Sequence, residues 1–380
     1  MAVQRGDNKK VKTLRLVVDP TDLGSSAAEQ ALSCAARILR AGGLVALPTE
    51  TVYGLGANAL DAQAVGRIFA AKQRPSWDPI IVHIADLDML QGLVEEVPEA
   101  ARRLMEVCWP GPLTLLLRRT SAVPDAVTAG RPLVGVRMPA HPVALQLIRR
   151  AGVPIAAPSA NTFGHISPTS AAHVLEDLDG RIDAVLDAGP TEHGVESTVL
   201  DPGQTPLIIY RPGAVTALQI EKTAGPVEIY RPRGPLRQAA AQAPGQMSTR
   251  RAALPSPGVG LRHYAPKARL VLVEGALDEL GGRLAAEAAN WPGERVGLLL
   301  PADMEPSFAP VASFAWGRWA APREMARDLY AGLHALDAAG CTVILAPLPR
   351  PEGIGAALRD RLRKAAYEKQ GPGTDLIPNP

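Results

Sequence analysis

The chain has 380 residues, 47% of them hydrophobic and 21% charged, which excludes disorder throughout and suits about two domains at ~100–200 residues each. Its 40 basic and 38 acidic residues leave a net charge of +2, which excludes a strongly basic nucleic-acid coat, and 4% aromatics leave little for base-stacking platforms. Cys34, Cys108 and Cys341 are too far apart for a CxxC zinc site or a disulfide framework, the basic N-terminus has no apolar segment after it, and no apolar run reaches the ~18–20 residues of a membrane span, so a cytoplasmic α/β protein is expected.

Strand and helix patterns interleave along the chain. Leu14–Val18 reads as a strand, and Ala27–Ala41 as a helix stopped by Gly42-Gly43. Leu44–Leu47 is a strand, Ala62–Lys72 a helix, Ile80–Ile84 a strand and Pro98–Cys108 a helix. The turn Trp109-Pro110-Gly111-Pro112 leads to strand Leu113–Leu117. Then come strand Val134–Arg137, helix Val143–Ala151, strand Pro154–Ala157 and helix Thr169–Leu178. Ala184–Leu186, Ser197–Leu200 and Leu207–Tyr210 are strands without helices between them, so a mixed sheet packed with helices is expected. Residues 215–267, rich in Pro, Gly, Ala, Gln and Arg, read as a linker. Alternation then restarts: strand Arg269–Val273, helix Leu277–Ala289, strand Val296–Leu300, helix Arg323–Leu336, strand Thr342–Leu345 and helix Ala356–Ala366. The expected organisation is an arm (1–19), an α/β domain (20–214), the linker (215–267) and a small Rossmann-like domain (268–380).

Several motifs are weak. Gly54-Leu55-Gly56-Ala57-Asn58-Ala59 matches GxGxxA in letters, but Pro48–Tyr53 separate it from the preceding strand, so it does not read as a dinucleotide fingerprint. Glu192, His193 and Glu196 flank Gly194 and read as a polar turn. Other polar residues gather at strand ends and turns, where α/β proteins build sites. Pro48–Gly56 carries two threonine hydroxyls, a carboxylate and a phenol. Lys72 and Arg74, two apart, could reach one polyphosphate as point charge and fork. Arg137 closes an apolar strand, so it must be paired or face a cavity, and it is a candidate carboxylate clamp. Ser159 and Asn161 lie in Ala157–Asn161, and Ser167 or Thr169 reads as a helix N-cap. Val195–Thr198 and Arg211-Pro212-Gly213 complete the set. Cations, hydroxyls and loop amides without a nucleophile triad or metal cluster fit phosphoryl or nucleotidyl chemistry.

These residues, in this order (PTETVYGLG, KQRP, the strand ending at His83, WPGPLT, VRMP, APSAN, SPT, GVEST, RPG), resemble the YrdC-like family in its long form, densely over 20–213 and through Ser256-Pro257-Gly258 and His263–Pro266. Further on the likeness rests on Gly353–Ala356 and Arg361-Leu362. The resemblance implies synthesis of threonylcarbamoyl-adenylate from L-threonine, bicarbonate and ATP, with Mg²⁺ carried on the phosphates and no protein metal ligand. The product would pass to a tRNA threonylcarbamoyltransferase that modifies the adenosine beside the anticodon. It implies ATP contacts from Lys72, Arg74, Ser159, Asn161, Ser167, Arg211 and His263, with Lys72 and Arg74 acting on the transferred phosphate. Asp78 and Leu133 depart from the family's residue types at two further nucleotide positions; Asp78 would need Mg²⁺ as a bridge, and Leu133 would offer backbone only. It implies a threonine site of Thr51, His83, Arg137, Ala157 and Ser197, covered by His263 and Tyr264 folding back from the linker. Two other functions use the same domain type. A carbamoyl-adenylate-forming carbamoyltransferase would carry CxxC fingers and an acylphosphatase-like module, both missing from this sequence. A double-stranded RNA-binding module, or weak RNA binding beside catalysis, would use a basic concave face, which the near-neutral charge disfavours as the main role.

Overall fold

A computed structural model describes residues 12–231, 256, 259–260 and 263–367. The first unit runs β1 (Leu14–Val17), α1 (Ser26–Arg40), β2 (Val45–Leu47), β3 (Gly54–Asn58), α2 (Ala62–Lys72), β4 (Ile81–His83), α3 (Leu87–Gln91), α4 (Glu99–Cys108), β5 (Leu113–Arg118) and α5 (Asp125–Thr128). It continues through β6 (Leu133–Arg137), α6 (Pro142–Ala151), β7 (Ile155–Ala156), α7 (Ala171–Leu178), β8 (Ala184–Asp187), β9 (Thr198–Asp201), β10 (Leu207–Arg211), α8 (Ala217–Ala224) and β11 (Val227–Ile229). Among the described residues these strands form one mixed sheet ordered β1-β8-β2-β3-β7-β4-β6-β5-β9-β10-β11. The second unit is β12 (Arg269–Val273), α9 (Leu277–Ala288), β13 (Val296–Leu300), β14 (Ala312–Ala315), α10 (Pro322–Ala338), β15 (Val343–Pro347) and α11 (Gly355–Ala365). Its sheet, β12-β15-β13-β14, is parallel throughout, with α9 connecting β12 to β13 and α10 connecting β14 to β15. The expected mixed α/β sheet with a separate small α/β unit is what the structure shows. No helix among the described residues is long and apolar enough to cross a membrane.

Local chemistry explains several element ends. The Asp61 carboxylate accepts from the Gln63 and Ala64 amides to start α2, and Gln73 ends it in the left-handed region with φ 54°. Thr216 and Gln219 form a reciprocal capping box that starts α8. That helix and β11 occupy the first part of the stretch read as a linker. Ser170, and neither Ser167 nor Thr169, caps α7 by accepting from the His173 amide at 3.3 Å. Strand β3 has no counterpart among the expected elements because Gly-Leu-Gly-Ala-Asn has no β-branched residue; its place between β2 and β7 makes it a strand. The one-turn helices α3 and α5 and the edge strand β14 also escaped the periodicity reading.

Two apolar cores cover the faces of the first sheet, one against α1 and α6 and one against α2, α4 and α7. A third runs across the boundary between the units. It joins Val52, Ile166 and Val195 of the first to Tyr264, Trp316, Met325 and Tyr330. At this boundary Gly194 adopts φ +66°, and a Cβ there would lie 2.3 Å from the Arg327 carbonyl oxygen and 2.4 Å from that of Ala326. Gly194→Ala is therefore expected to destabilise the chain by about 2 kcal/mol or more, since strain and an overpacked interface add. Thermal unfolding would show it; an unchanged Tm would mean that α10 yields freely.

Candidate active site

Several short strands end around one cavity. Strand β4 has three residues and β7 two, so the loops that follow them reach the middle of the sheet. Backbone hydrogen bonds fix those loops to one another: Leu55 N to Pro158 O at 2.7 Å, Tyr53 N to Pro168 O at 2.9 Å, Ala160 N to Tyr53 O at 2.8 Å and Ala157 N to Ile81 O at 2.9 Å. The cavity is lined by polar groups from Thr49, Thr51, Arg74, His83, Arg137, Ser159, Glu196, Ser197, Arg211 and His263 and closed by Ala157 and Tyr264, among others. Its free volume is about 60 Å³. At roughly 10–15 Å³ per water-sized group, that admits a few small groups.

On one wall, His83 and Arg137 are register partners in the parallel β4–β6 ladder, so their side chains share a face. Arg137 pairs with Glu50 at 2.6 Å and donates to Thr51 Oγ1 at 3.0 Å and to the Gly111 carbonyl at 3.2 Å. Burial pushes the Glu50 carboxyl up, but the adjacent guanidinium outweighs it and holds the group below its ordinary value. Burial, with the Arg137 charge added, lowers His83 to about 3, so its imidazole is neutral. Its Nδ1 is buried without a hydrogen-bond partner. Opposite, Arg211 donates to the Ser197 carbonyl at 2.9 and 3.1 Å and to its hydroxyl at 3.0 Å. The Ser197 hydroxyl also meets Thr114 Oγ1 at 2.8 Å.

Arg74 pairs with Asp78 at 3.0 Å and donates to the Asp78 and Pro79 carbonyls at 3.1 and 2.8 Å. Asp78 thus faces Arg74, with His263 Nε2 4.0 Å away, and it does not line the cavity. Lys72 does not project beside Arg74 as its spacing suggested. Its ammonium is buried against the Ser159 and Asn161 carbonyls, and burial first, then Arg74, lowers its pKa well below the ordinary lysine value. Asn161 accepts from Ser159 Oγ at 2.5 Å, and Ser167 donates to Glu196 at 2.6 Å; neither lines the cavity. Leu133, at the start of β6, packs with Ile81, Leu116 and Val199 away from it. The structure therefore gathers Thr51, Arg74, His83, Arg137, Ala157, Ser159, Ser197, Arg211 and His263 around one space, and places Lys72, Asp78, Asn161, Ser167 and Leu133 outside that lining.

Sequence reasoning counted the Glu50 carboxylate in its loop and assigned Glu196 to a polar turn, without giving either a role; both bind buried arginines. The signal for Glu50 was a carboxylate among hydroxyls in an otherwise apolar loop; for Glu196 it was a place beside Ser197 in Val195–Thr198.

His263 and Tyr264 return over the cavity. Ala265 N donates to Gly164 O at 2.9 Å, the Phe163 and His263 rings meet edge-on at 5.0 Å, and Arg74 lies 5.7 Å from the Phe163 ring. Burial lowers the His263 pKa and raises that of Tyr264, so both rings stay uncharged near neutral pH. Among the described residues no three His, Cys, Asp or Glu side chains cluster as a metal site.

Comparison with known proteins adds to this geometry. Residues 37–213 match the Sua5/YciO/YrdC family model, described as telomere recombination, and residues 215–367 match the model described as threonylcarbamoyl-AMP synthase, C-terminal domain. The threonylcarbamoyl-AMP synthase of Pyrococcus abyssi is 42% identical over 340 residues, 89% of this chain and 94% of that protein. The Bacillus subtilis protein of the same name is 42% identical over 357 residues, 94% of this chain and 98% of its own. The crystal structure of P. abyssi Sua5 complexed with L-threonine superposes with a TM-score of 0.80 at 41% identity, covering 93% of this chain and 98% of that one.

Proposed function

The chain belongs to the Sua5/YciO/YrdC family of threonylcarbamoyl-AMP synthases, and from that premise we propose that it joins L-threonine, bicarbonate and ATP into threonylcarbamoyl-adenylate and pyrophosphate. The observation that carries the reading is the pairing, around one cavity, of a carboxylate-sized clamp at Arg137 with two further guanidinium groups, Arg74 and Arg211. Arg137 holds the threonine carboxylate, while Thr51, Ser197 and the Ala157 backbone take its other polar groups. The threonine ammonium gives its proton to solvent, since His83 at about 3 does not hold it; the free amine then attacks the bicarbonate carbon, and the bicarbonate hydroxyl leaves with an amine proton as water, giving N-carboxythreonine. A carbamate oxygen then attacks the α-phosphorus, and pyrophosphate departs with the P–O electron pair. Arg74 and Arg211, with His263, Ser159 and Asn161 around the nucleotide, stabilise the charge that develops. Lys72 fixes the loop that carries Ser159 and Asn161, and reaches a phosphate on leaving those carbonyls. Ser167, Asp78 and Leu133 act at one remove, through Glu196, Arg74 and the packing of β6. The lining is of cations and hydroxyls, which fits Mg²⁺ arriving on the triphosphate, where it offsets charge.

In the proposed cycle the His263–Tyr264 segment moves to admit the nucleotide and then excludes water from the carbamate. The proposed setting is the cytoplasm, with transfer of the product to a tRNA-modifying transferase.

The test is pyrophosphate release from ATP and Mg²⁺ with threonine and bicarbonate each withheld. Release that needs both is expected. Release with carbamoyl phosphate but not with threonine would support the carbamoyl-adenylate reading. Salt-sensitive RNA binding without turnover would support the RNA module.

A further inference from the structure

Glu196 sits where the units meet. Its carboxylate accepts from Ser167 Oγ of the first unit at 2.6 Å. From the second unit it accepts from Arg361 Nε at 2.7 Å and from the Tyr330 hydroxyl at 3.0 and 3.1 Å. Glu196, Ser167, Tyr330 and Arg361 are all buried. The next residue, Ser197, lines the cavity and holds Arg211 through its carbonyl and hydroxyl. One peptide unit therefore joins an ion pair between the units to an arginine placed on the nucleotide. Two guanidinium groups act on this one carboxylate: burial pushes Glu196 up, and Arg361 and then Arg211 bring it down to about 2. A buried carboxylate deprived of its cation captures the next one in reach, because an unpaired buried charge is costly.

Resting on the assignment of Arg211 to ATP, we infer that Arg361 is a positioning residue for catalysis: it satisfies Glu196 from the second unit and so leaves Arg211 on Ser197, facing the nucleotide. The second unit then acts on the chemistry without touching substrate. Single-residue logic would place Arg361 in a structural core; the chain of contacts from Arg361 to Glu196, Ser197 and Arg211 gives it a kinetic signature.

The signature includes pH. Around Glu196 stand Arg361, with Asp360 and Lys364 of the same helix α11, Tyr330 of α10, Tyr264, Ser167 and Arg211. Burial raises both phenols, so neither ionises near neutral pH. Without Arg361 the Glu196 pKa rises. Falling pH then protonates Glu196 and releases Arg211, so the ATP KM of an Arg361→Met variant should improve toward acid. The native chain, with Glu196 held at about 2, should show no such step above pH 5.

The experiment measures kcat and both KM values for the full chain and for Arg361→Met, Arg361→Lys, Tyr330→Phe and the double variant Glu196→Gln with Arg361→Met. Arg361→Met should raise the ATP KM about tenfold or more and the threonine KM less than about threefold. The double variant, with no carboxylate left to capture Arg211, should recover most of that loss, and Arg361→Lys part of it. A loss confined to kcat, a double variant no better than the single one, or a flat pH profile in Arg361→Met would overturn the inference. If Arg361→Met does not fold, Tyr330→Phe carries the test: its ATP KM should rise about twofold to fivefold, easing toward acid, and an unchanged value overturns it. A native chain that releases no pyrophosphate rejects the functional reading itself, and this inference with it.

Discussion

Replacing Arg137 by alanine should raise the KM for L-threonine about a hundredfold or more and leave ATP affinity within about threefold, because a bidentate charge-assisted contact contributes roughly 3–6 kcal/mol at 1.5–3 kcal/mol per bond. The geometry accounts for the size. A guanidinium has five N–H groups. In Arg137, Nε donates to the Gly111 carbonyl and Nη1 to the Thr51 hydroxyl, while Nη2 lies 2.6 Å from the Glu50 carboxylate as an ion pair. Hydrogens on both terminal nitrogens remain for an incoming carboxylate to accept. Those protein partners fix the fork before threonine arrives. The variant will also be less stable, since removing one partner of a buried ion pair costs about 3–5 kcal/mol. Adding Glu50→Gln should restore most of the Tm and none of the threonine affinity. Equal loss of ATP and threonine binding would reject the clamp.

Arg74→Ala should lower kcat/KM for ATP about a thousandfold, the scale on which removal of one preorganised charge-stabilising donor acts. Arg74 commits Nε to the Asp78 carbonyl and Nη2 to the Asp78 carboxylate and the Pro79 carbonyl. That leaves Nη1 for an incoming phosphate. Arg74→Lys should rescue little, because one ammonium cannot hold Asp78 and a phosphate in fork geometry. Asp78→Asn in the Arg74→Ala background removes the orphaned buried carboxylate and should recover stability without rate. Single-turnover pyrophosphate release measures the chemical step, and a change limited to ATP binding would place Arg74 on the ground state alone.

The polar residues around the cavity were legible because strand ends and turns leave few reasons for so many hydroxyls and cations. Arg137 shows how far that goes. A charge closing an apolar strand must be paired or face a cavity, and the structure gives it both. Its partner could not be read, because Glu50 lies 87 residues away and only the fold brings them together. Arg361 and Glu196, 165 residues apart, are hidden for the same reason. Lys72 was placed on the correct helix end, but a backbone position does not say which way a long side chain turns. Here two carbonyls of the Ser159–Asn161 loop decide it. Strand β3 was missed because propensity speaks for a residue alone, while strand pairing belongs to its neighbours.

The edge of the first sheet has a consequence for synthesis. Strand β1 pairs in parallel with β8, Leu14 opposite Ala184. At about 5–20 residues per second, a ribosome needs roughly 10–30 s to make the chain between them. For that interval the first strand has no partner, and Leu14 and Val17 stay half exposed even in the finished sheet. Strand β1 thus stays open until about half of the chain has been made, and over that interval a newborn chain carries a bare β-strand that a holdase chaperone would bind or a second nascent chain would join.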